Sequence, residues 1–212
     1  MSVAAIDASH DPSLTSWVES ANTPDHDFPI QNLPFGVFRP HATAVPRGGV
    51  AIGDEVCDLA VLYELQLHPR ELEAPLRACA ETGLNRFMAM GVEARRALRQ
   101  FLSRLLRSGA PQRAAVERAL RPQSAVSFEL PAAIGDFTDF YTSIHHATAI
   151  GRLLRPDAPL LPNYKWVPIA YHGRASSIRV SGHDLRRPVG QTLPPGASRP
   201  QVGLTARLDY EL

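Results

Sequence analysis

Arg47-Gly-Gly-Val-Ala-Ile-Gly-Asp-Glu-Val56 decides the fold of the first half of this chain. Arg47-Gly-Gly49 reads as a turn, and from Val50 to Val56 apolar residues alternate with small or polar ones, the period of a half-buried strand. Upstream, Phe35-Gly-Val-Phe38 has the aromatic and β-branched content that suits a pleated surface. Short strands and turns are therefore expected from about Pro34 to Leu62, forming a small β-barrel or β-roll.

Outward from that stretch the register changes. From Glu71 to Leu120 the spacing predicts helix: Leu98, Phe101, Leu102, Leu105 and Leu106 recur at three- and four-residue steps, with Arg95, Arg96, Arg99, Arg104 and Arg107 around them. Gly109-Ala-Pro111 is expected to end that helix, and a shorter one to run from Ala114 to Leu120 before Pro122. Eight arginines between Arg95 and Arg121 face a single acid, Glu117. A nucleic-acid-binding helix has that look, but no recognition motif and no interleaved aromatics accompany it, so a solvated face is the expectation and nucleic acid is not expected as a partner.

Composition bounds the rest. The chain has 212 residues, 44% of them hydrophobic, enough for one large domain or two small ones with a sizeable core. A formal charge of +1 gives the molecule no general attraction to polyanions or anionic membranes. The first residues lack a basic start and an apolar run, and no stretch approaches a membrane span, which predicts a cytoplasmic protein with no membrane partner. Cys57 and Cys79 have no metal-binding or disulfide spacing and are expected as buried thiols.

Chemistry-bearing residues gather further on. Ser143 is placed to cap a helix from Ile144 to Leu154, which stops before Pro156. Asp139 and Tyr141 then fall in its entry loop and His146 in its first turn, with His145 rotated away by about 100°. Val167 to Tyr171 and Ile178 to Ser181 read as strands flanking a His172-Gly-Arg174 turn, and Gly190 to Gly203 as a Pro/Gly-rich loop. A neutral imidazole suits His146 to general-base work. Asp139 and Glu211 are candidate oxygen ligands for a hard cation, although two carboxylates alone make a weak site. Arg155 or Arg174 suits an acid group on a substrate, and Tyr141 and Tyr171 are hydroxyl donors. Each residue, taken singly, also fits a structural role: a turn former, a core aromatic, a hydrogen-bonded helix residue. The set fits metal-assisted hydrolysis of a small oxo-acid.

Several motifs in order resemble the fumarylacetoacetase family: Gly135-Asp-Phe-Thr-Asp-Phe-Tyr141, His146-Ala-Thr148, Pro162-Asn163, Tyr171-His-Gly-Arg-Ala-Ser-Ser177 and Arg186-Arg-Pro-Val-Gly-Gln191. Phe28-Pro-Ile-Gln-Asn-Leu-Pro-Phe-Gly-Val-Phe38 and Gly49-Val-Ala-Ile-Gly-Asp54 are similar to that family's opening segment. The resemblance implies an α+β, β-rich fold. A small SH3-like barrel with a helical segment would occupy residues 1–131, and the start of a mixed β-rich catalytic domain residues 132–212. It implies a homodimer with Mg²⁺ or Ca²⁺ that hydrolyses a carbon–carbon bond of 4-fumarylacetoacetate to fumarate and acetoacetate. Residue by residue, Asp139 and Glu211 match metal ligands, His146 the catalytic base, and Tyr141, Arg155 and Tyr171 substrate contacts.

Arg207-Leu-Asp-Tyr-Glu-Leu212 alternates like a half-buried strand, and the family's further ligands and substrate-binding lysine and arginine match nothing before Leu212. The expectation is a truncated chain, inactive alone and poorly folded after about Ala132. Two other readings are a hydrolase of another acylpyruvate or β-diketone acid, and a non-catalytic module for binding or dimerisation.

Overall fold

The structure is a computed structural model that describes residues 6–206. It divides into a first unit up to Ile178 and a second from Arg179 onward.

Five antiparallel strands build the first unit's sheet: β1 (Phe35–Arg39), β2 (Arg47–Ile52), β3 (Glu55–Asp58), β4 (Leu120–Pro122) and β5 (Ser127–Glu129), in the order β4-β3-β2-β1-β5. Strands β4 and β5 are neighbours in sequence yet lie on opposite edges. In a flat sheet those edges stand about 19 Å apart, four strand spacings. The link between them contains a 3₁₀ turn at Gln123–Ala125, and such a link reaches only about 13 Å. The sheet must therefore curl, and it forms a half-barrel.

Between β3 and β4 the chain leaves the sheet for five helices: α1 (Leu59–Glu64), α2 (Glu73–Cys79), α3 (Asn85–Ala89), α4 (Gly91–Leu106) and α5 (Arg113–Val116). Val37, Val50, Ile52 and Cys57 from the sheet meet Leu59, Leu62, Leu76, Leu98, Leu102, Leu106 and Val116 from the helices in one buried core. The three- and four-residue leucine spacing on α4 thus faces the core as expected, and both cysteines are buried within it. Burial pushes each thiol up to about 12, with the Asp58 carboxylate adding to the rise at Cys57.

Asp58 joins sheet to helices. It is wholly buried and receives two hydrogen bonds from Arg47 Nε, at 2.9 and 3.0 Å, and one from Nη2 at 2.6 Å. It also caps α1 by accepting from the N–H groups of Ala60 and Val61. The N-terminal segment is strapped to the end of α4: Ser16 Oγ donates to the Leu106 carbonyl at 2.6 Å and Trp17 Nε1 to the Leu105 carbonyl at 2.8 Å.

Several elements depart from the sequence reading. Arg47-Gly-Gly49 is strand rather than turn; a Cβ on Gly48 would stand 2.5 Å from the Cys79 carbonyl oxygen, so the glycine serves close approach of α2. Helix begins at Leu59 rather than after Leu62, because the Asp58 cap starts it. Leu120 opens β4 instead of closing a helix, since its backbone pairs with Cys57.

Beyond β5, Leu84 N–H donates to the Pro131 carbonyl and Asn85 bonds both N–H and C=O of Ala133, tying the chain to α3. A two-stranded ladder follows, β6 (Phe137–Phe140) with β7 (Ala170–Gly173), and between them helix α6 (Ile144–Leu154). The predicted strand at Ile178–Ser181 is absent; β7 takes its partner from β6, and a 3₁₀ turn at Ala175–Ser177 follows it. In the second unit, the expected loop from Gly190 to Gly203 contains a ladder of β8 (Val189–Thr192) with β9 (Gln201–Leu204). Among the described residues no helix is long and apolar enough to cross a membrane.

Candidate functional site

Phe137-Thr-Asp-Phe140 forms a strand because Phe137 to Phe140 pair residue for residue with Gly173 to Ala170. Asp139 therefore sits in a strand and not in the entry loop of α6. Directly opposite residues share a face, so Asp139 and Tyr171 lie on one face, and Thr138 and His172 on the other. Tyr141, two residues after Asp139, continues the first face, and its ring meets Tyr171 edge-on with centroids 5.8 Å apart.

Ser143 caps α6 as the sequence predicts, with its Oγ accepting from the His146 N–H at 3.4 Å. That cap fixes where His146 emerges in the first turn. Its imidazole lies flat against the Tyr141 ring, with centroids 5.2 Å apart and planes 11° from parallel. His146 is exposed, while Asp139 and Tyr141 are half-buried. A stacked ring covers one face of the imidazole and leaves its nitrogens at the edge.

The ladder and the helix start thus bring together Asp139, Tyr141, His146 and Tyr171. Arg155 stands apart, exposed at the C-terminal cap of α6 and nine residues from His146, about 13 Å along the helix. His172 turns to the other face, where its Nε2 lies 3.5 Å from Asp136 Oδ1. Gly173 is within β7 rather than in a turn, and the Phe137 ring lies where its Cβ would project. Glu211 lies outside the described residues.

Mg²⁺ and Ca²⁺ take six or more oxygen ligands. Among the described residues no group of three or more His, Cys, Asp or Glu is gathered, and Asp139 is the carboxylate on this face. These residues therefore offer one ligand and do not by themselves make up a cation's set.

Two contacts around the site escape the sequence pattern. Tyr164 is buried, and its hydroxyl donates to the Tyr141 carbonyl at 2.7 Å. Gly151 lets α6 press on the following loop; a Cβ there would stand 1.9 Å from the Pro159 carbonyl oxygen. The Pro162-Asn163-Tyr164 run was the available signal for the first, but a tyrosine's burial is not periodic information.

Four of the eight arginines in the arginine-rich segment make contacts within the chain. Arg96 pairs with Glu93, Arg99 reaches Ser9 Oγ and the Gln31 carbonyl, Arg121 bonds backbone carbonyls, and Arg113 lies over the Trp17 ring and pairs with Glu117.

The family described as Fumarylacetoacetase N-terminal matches residues 31–131. Over 194 residues, 88% of this chain and 46% of the relative, the chain is 48% identical to a fumarylacetoacetase of Caenorhabditis elegans. It is 45% identical over 193 residues to that of Rattus norvegicus, covering 89% of this chain and 46% of the relative. With that of Arabidopsis thaliana the identity is 42% over 204 residues, 94% of this chain and 48% of the relative. The chain spans about half the length of the curated relatives it matches.

Proposed function

This chain belongs to the fumarylacetoacetase family, and from that premise we propose that it carries part of the site that hydrolyses 4-fumarylacetoacetate to fumarate and acetoacetate, the last step of tyrosine and phenylalanine breakdown. The observation that carries the proposal is the convergence of Asp139, Tyr141, His146 and Tyr171 on one face of the β6–β7 ladder and the start of α6.

In this reading His146 takes a proton from water. The hydroxide adds to the carbonyl carbon on the fumaryl side, and the carbon–carbon bond breaks with its electron pair leaving on acetoacetate. That carbanion recovers the proton from the imidazolium, so atoms and charge balance. The flat Tyr141 ring orients the imidazole and supports the cation it becomes. The Tyr141 and Tyr171 hydroxyls donate to substrate oxygens, and Arg155 grips a terminal carboxylate at the far end of α6. Asp139 and Glu211 are assigned to Mg²⁺ or Ca²⁺, which when bound supplies charge to polarise the β-dicarbonyl.

The same premise extends to architecture. The strand order and the 3₁₀ link between β4 and β5 support an SH3-like barrel within residues 1–131, followed by the start of a catalytic domain at 132–212. A homodimer in the cytoplasm completes the proposal.

The test is turnover of fumarylacetoacetate by the protein isolated from its source, with Mg²⁺ or Ca²⁺ supplied, beside simpler acylpyruvates. Preference for fumarylacetoacetate together with loss of turnover in His146→Ala is the expected result. Near-normal turnover by His146→Ala would remove His146 from the role of base. Faster hydrolysis of a simple acylpyruvate would move the substrate to that class, and no hydrolysis of either would refute the hydrolase reading.

A further inference from the structure

Among the described residues from Leu120 onward, Tyr164 is the one large side chain with less than a tenth of its surface exposed; the other buried hydrophobic there is Ala147. Aromatic and aliphatic neighbours in the same part of the chain, Phe140, Leu153, Trp166 and Val167, are half or more exposed. A side chain buried alone among exposed ones is held by something specific, and here the hydroxyl finds the Tyr141 carbonyl at 2.7 Å.

Resting on the proposed site, we infer that Tyr164 is a positioning residue: its hydroxyl sets the Tyr141 backbone and thereby the ring that stacks on His146. The geometry closes around one peptide. Tyr141 N–H donates to the Ile169 carbonyl at 2.9 Å, and Tyr141 C=O accepts from Tyr164. Both partners come from the segment between α6 and β7. That segment is fixed in turn. Tyr164 N–H donates to Leu161 C=O, Trp166 and Val167 both donate to Asn163 C=O, and Gly151 admits Pro159 against α6.

With both backbone groups of Tyr141 held, its side chain has only its own torsions left. One of their wells places the ring 5.2 Å from the imidazole and the other contact 5.8 Å from Tyr171. Without the Tyr164 hydrogen bond the Tyr141 carbonyl loses this buried donor, and the hold on the ring over His146 loosens. Tyr164 touches none of the reacting atoms in this scheme, so its effect passes through position alone.

The experiment reads position, not turnover, so it stands even if the hydrolase reading fails. Ring-proton resonances of His146 in the chain carrying labelled histidine are identified by their disappearance in His146→Gln. A parallel tyrosine ring displaces them upfield, and Tyr164→Phe is expected to remove more than half of that displacement. Trp17→Phe, which removes a comparable hydrogen bond to the Leu105 carbonyl, is expected to leave it in place. 4-Aminophenylalanine at position 164 keeps a donor there and is expected to restore the displacement. Unchanged His146 resonances in Tyr164→Phe overturn the inference, as does equal loss with the amino analogue. If Tyr164→Phe does not fold, amide exchange in the unaltered chain decides. The clamp requires both backbone bonds of Tyr141 to hold, so its N–H must exchange more slowly than that of the exposed loop residue Asp157, and equal rates overturn it.

Discussion

Removing the Asp58 carboxylate is expected to cost the first unit more than any surface change. Asp58→Ala deletes two capping bonds to α1, worth about 1 kcal/mol. It also leaves Arg47 without its carboxylate, and breaking a buried pair costs about 3–5 kcal/mol. The Arg47 side chain keeps 26% of its surface in solvent while Asp58 keeps none, so Arg47 rehydrates in part and the loss falls at the lower end. The sum is about 4 kcal/mol. With a urea slope of about 2 kcal/mol/M for a domain of this size, the midpoint should fall by about 2 M. Asp58→Asn keeps a cap acceptor and one bond to Arg47, so its fall should be roughly half. Arg47→Met leaves the fully buried partner unpaired and should cost at least as much as Asp58→Ala. Urea unfolding followed by far-UV dichroism and by fluorescence of Trp17, which rests on the end of α4, measures all three. A midpoint shift below about 0.5 M for Asp58→Ala would refute the reasoning, because the sheet and helices would then be joined by the apolar core alone.

Leu102→Ala, at a fully buried position on α4, should cost about 2–5 kcal/mol in the same unfolding experiment. Burial pushes the Cys57 and Cys79 thiols up to about 12 in the fold, against about 8.5 when unfolded. Only the unfolded thiols then release protons between those values, so stability should fall as pH rises through that window, by about 2 kcal/mol per thiol at pH 10. The Cys57→Ala, Cys79→Ala double variant should show a flatter alkaline limb than the parent, and identical limbs would contradict the burial argument. Asp7 has its pKa lowered chiefly by the Ser9 hydroxyl. Its contribution is therefore full above the ordinary carboxylate range and lost as pH falls below about 4, so Asp7→Asn should weaken the acid dependence of unfolding. Gly151→Ala should drive the Pro159 segment off α6 and broaden or shift the His146 resonances, while leaving the unfolding of the first sheet unchanged.

Local pattern carried far where it had a period or a cap to read. The leucine spacing from Leu98 to Leu106 gave the buried face of α4, and Ser143 with Pro156 gave the bounds of α6, because those signals lie within a few residues of their effects. Glycine misled in both directions. Gly48 and Gly49 read as a turn because a turn and a close approach use the same missing side chain, and only the positions of Cys79 beside Gly48 and of Val56 and Phe38 beside Gly49 tell them apart. The strand at β7 was legible only in part: Val167 to Tyr171 carries β-branched and aromatic residues, but the strand runs over Ala170–Gly173, because its pairing with Phe137–Phe140, thirty or more residues back, sets where it begins and ends.

The candidate site divides in the same way. The sequence by itself determined the residue types and one spacing, since a cap at Ser143 and 3.6 residues per turn place His146 in the first turn whatever else folds. Tertiary structure decided the company it keeps. Pairing of Asp139 with Tyr171 puts those two on one face and His172 on the other, and the Tyr164 hydroxyl holds the backbone that carries Tyr141. Neither fact is local: a ladder register and a single buried hydrogen bond join residues by the path the chain takes through space, which no period in the sequence encodes.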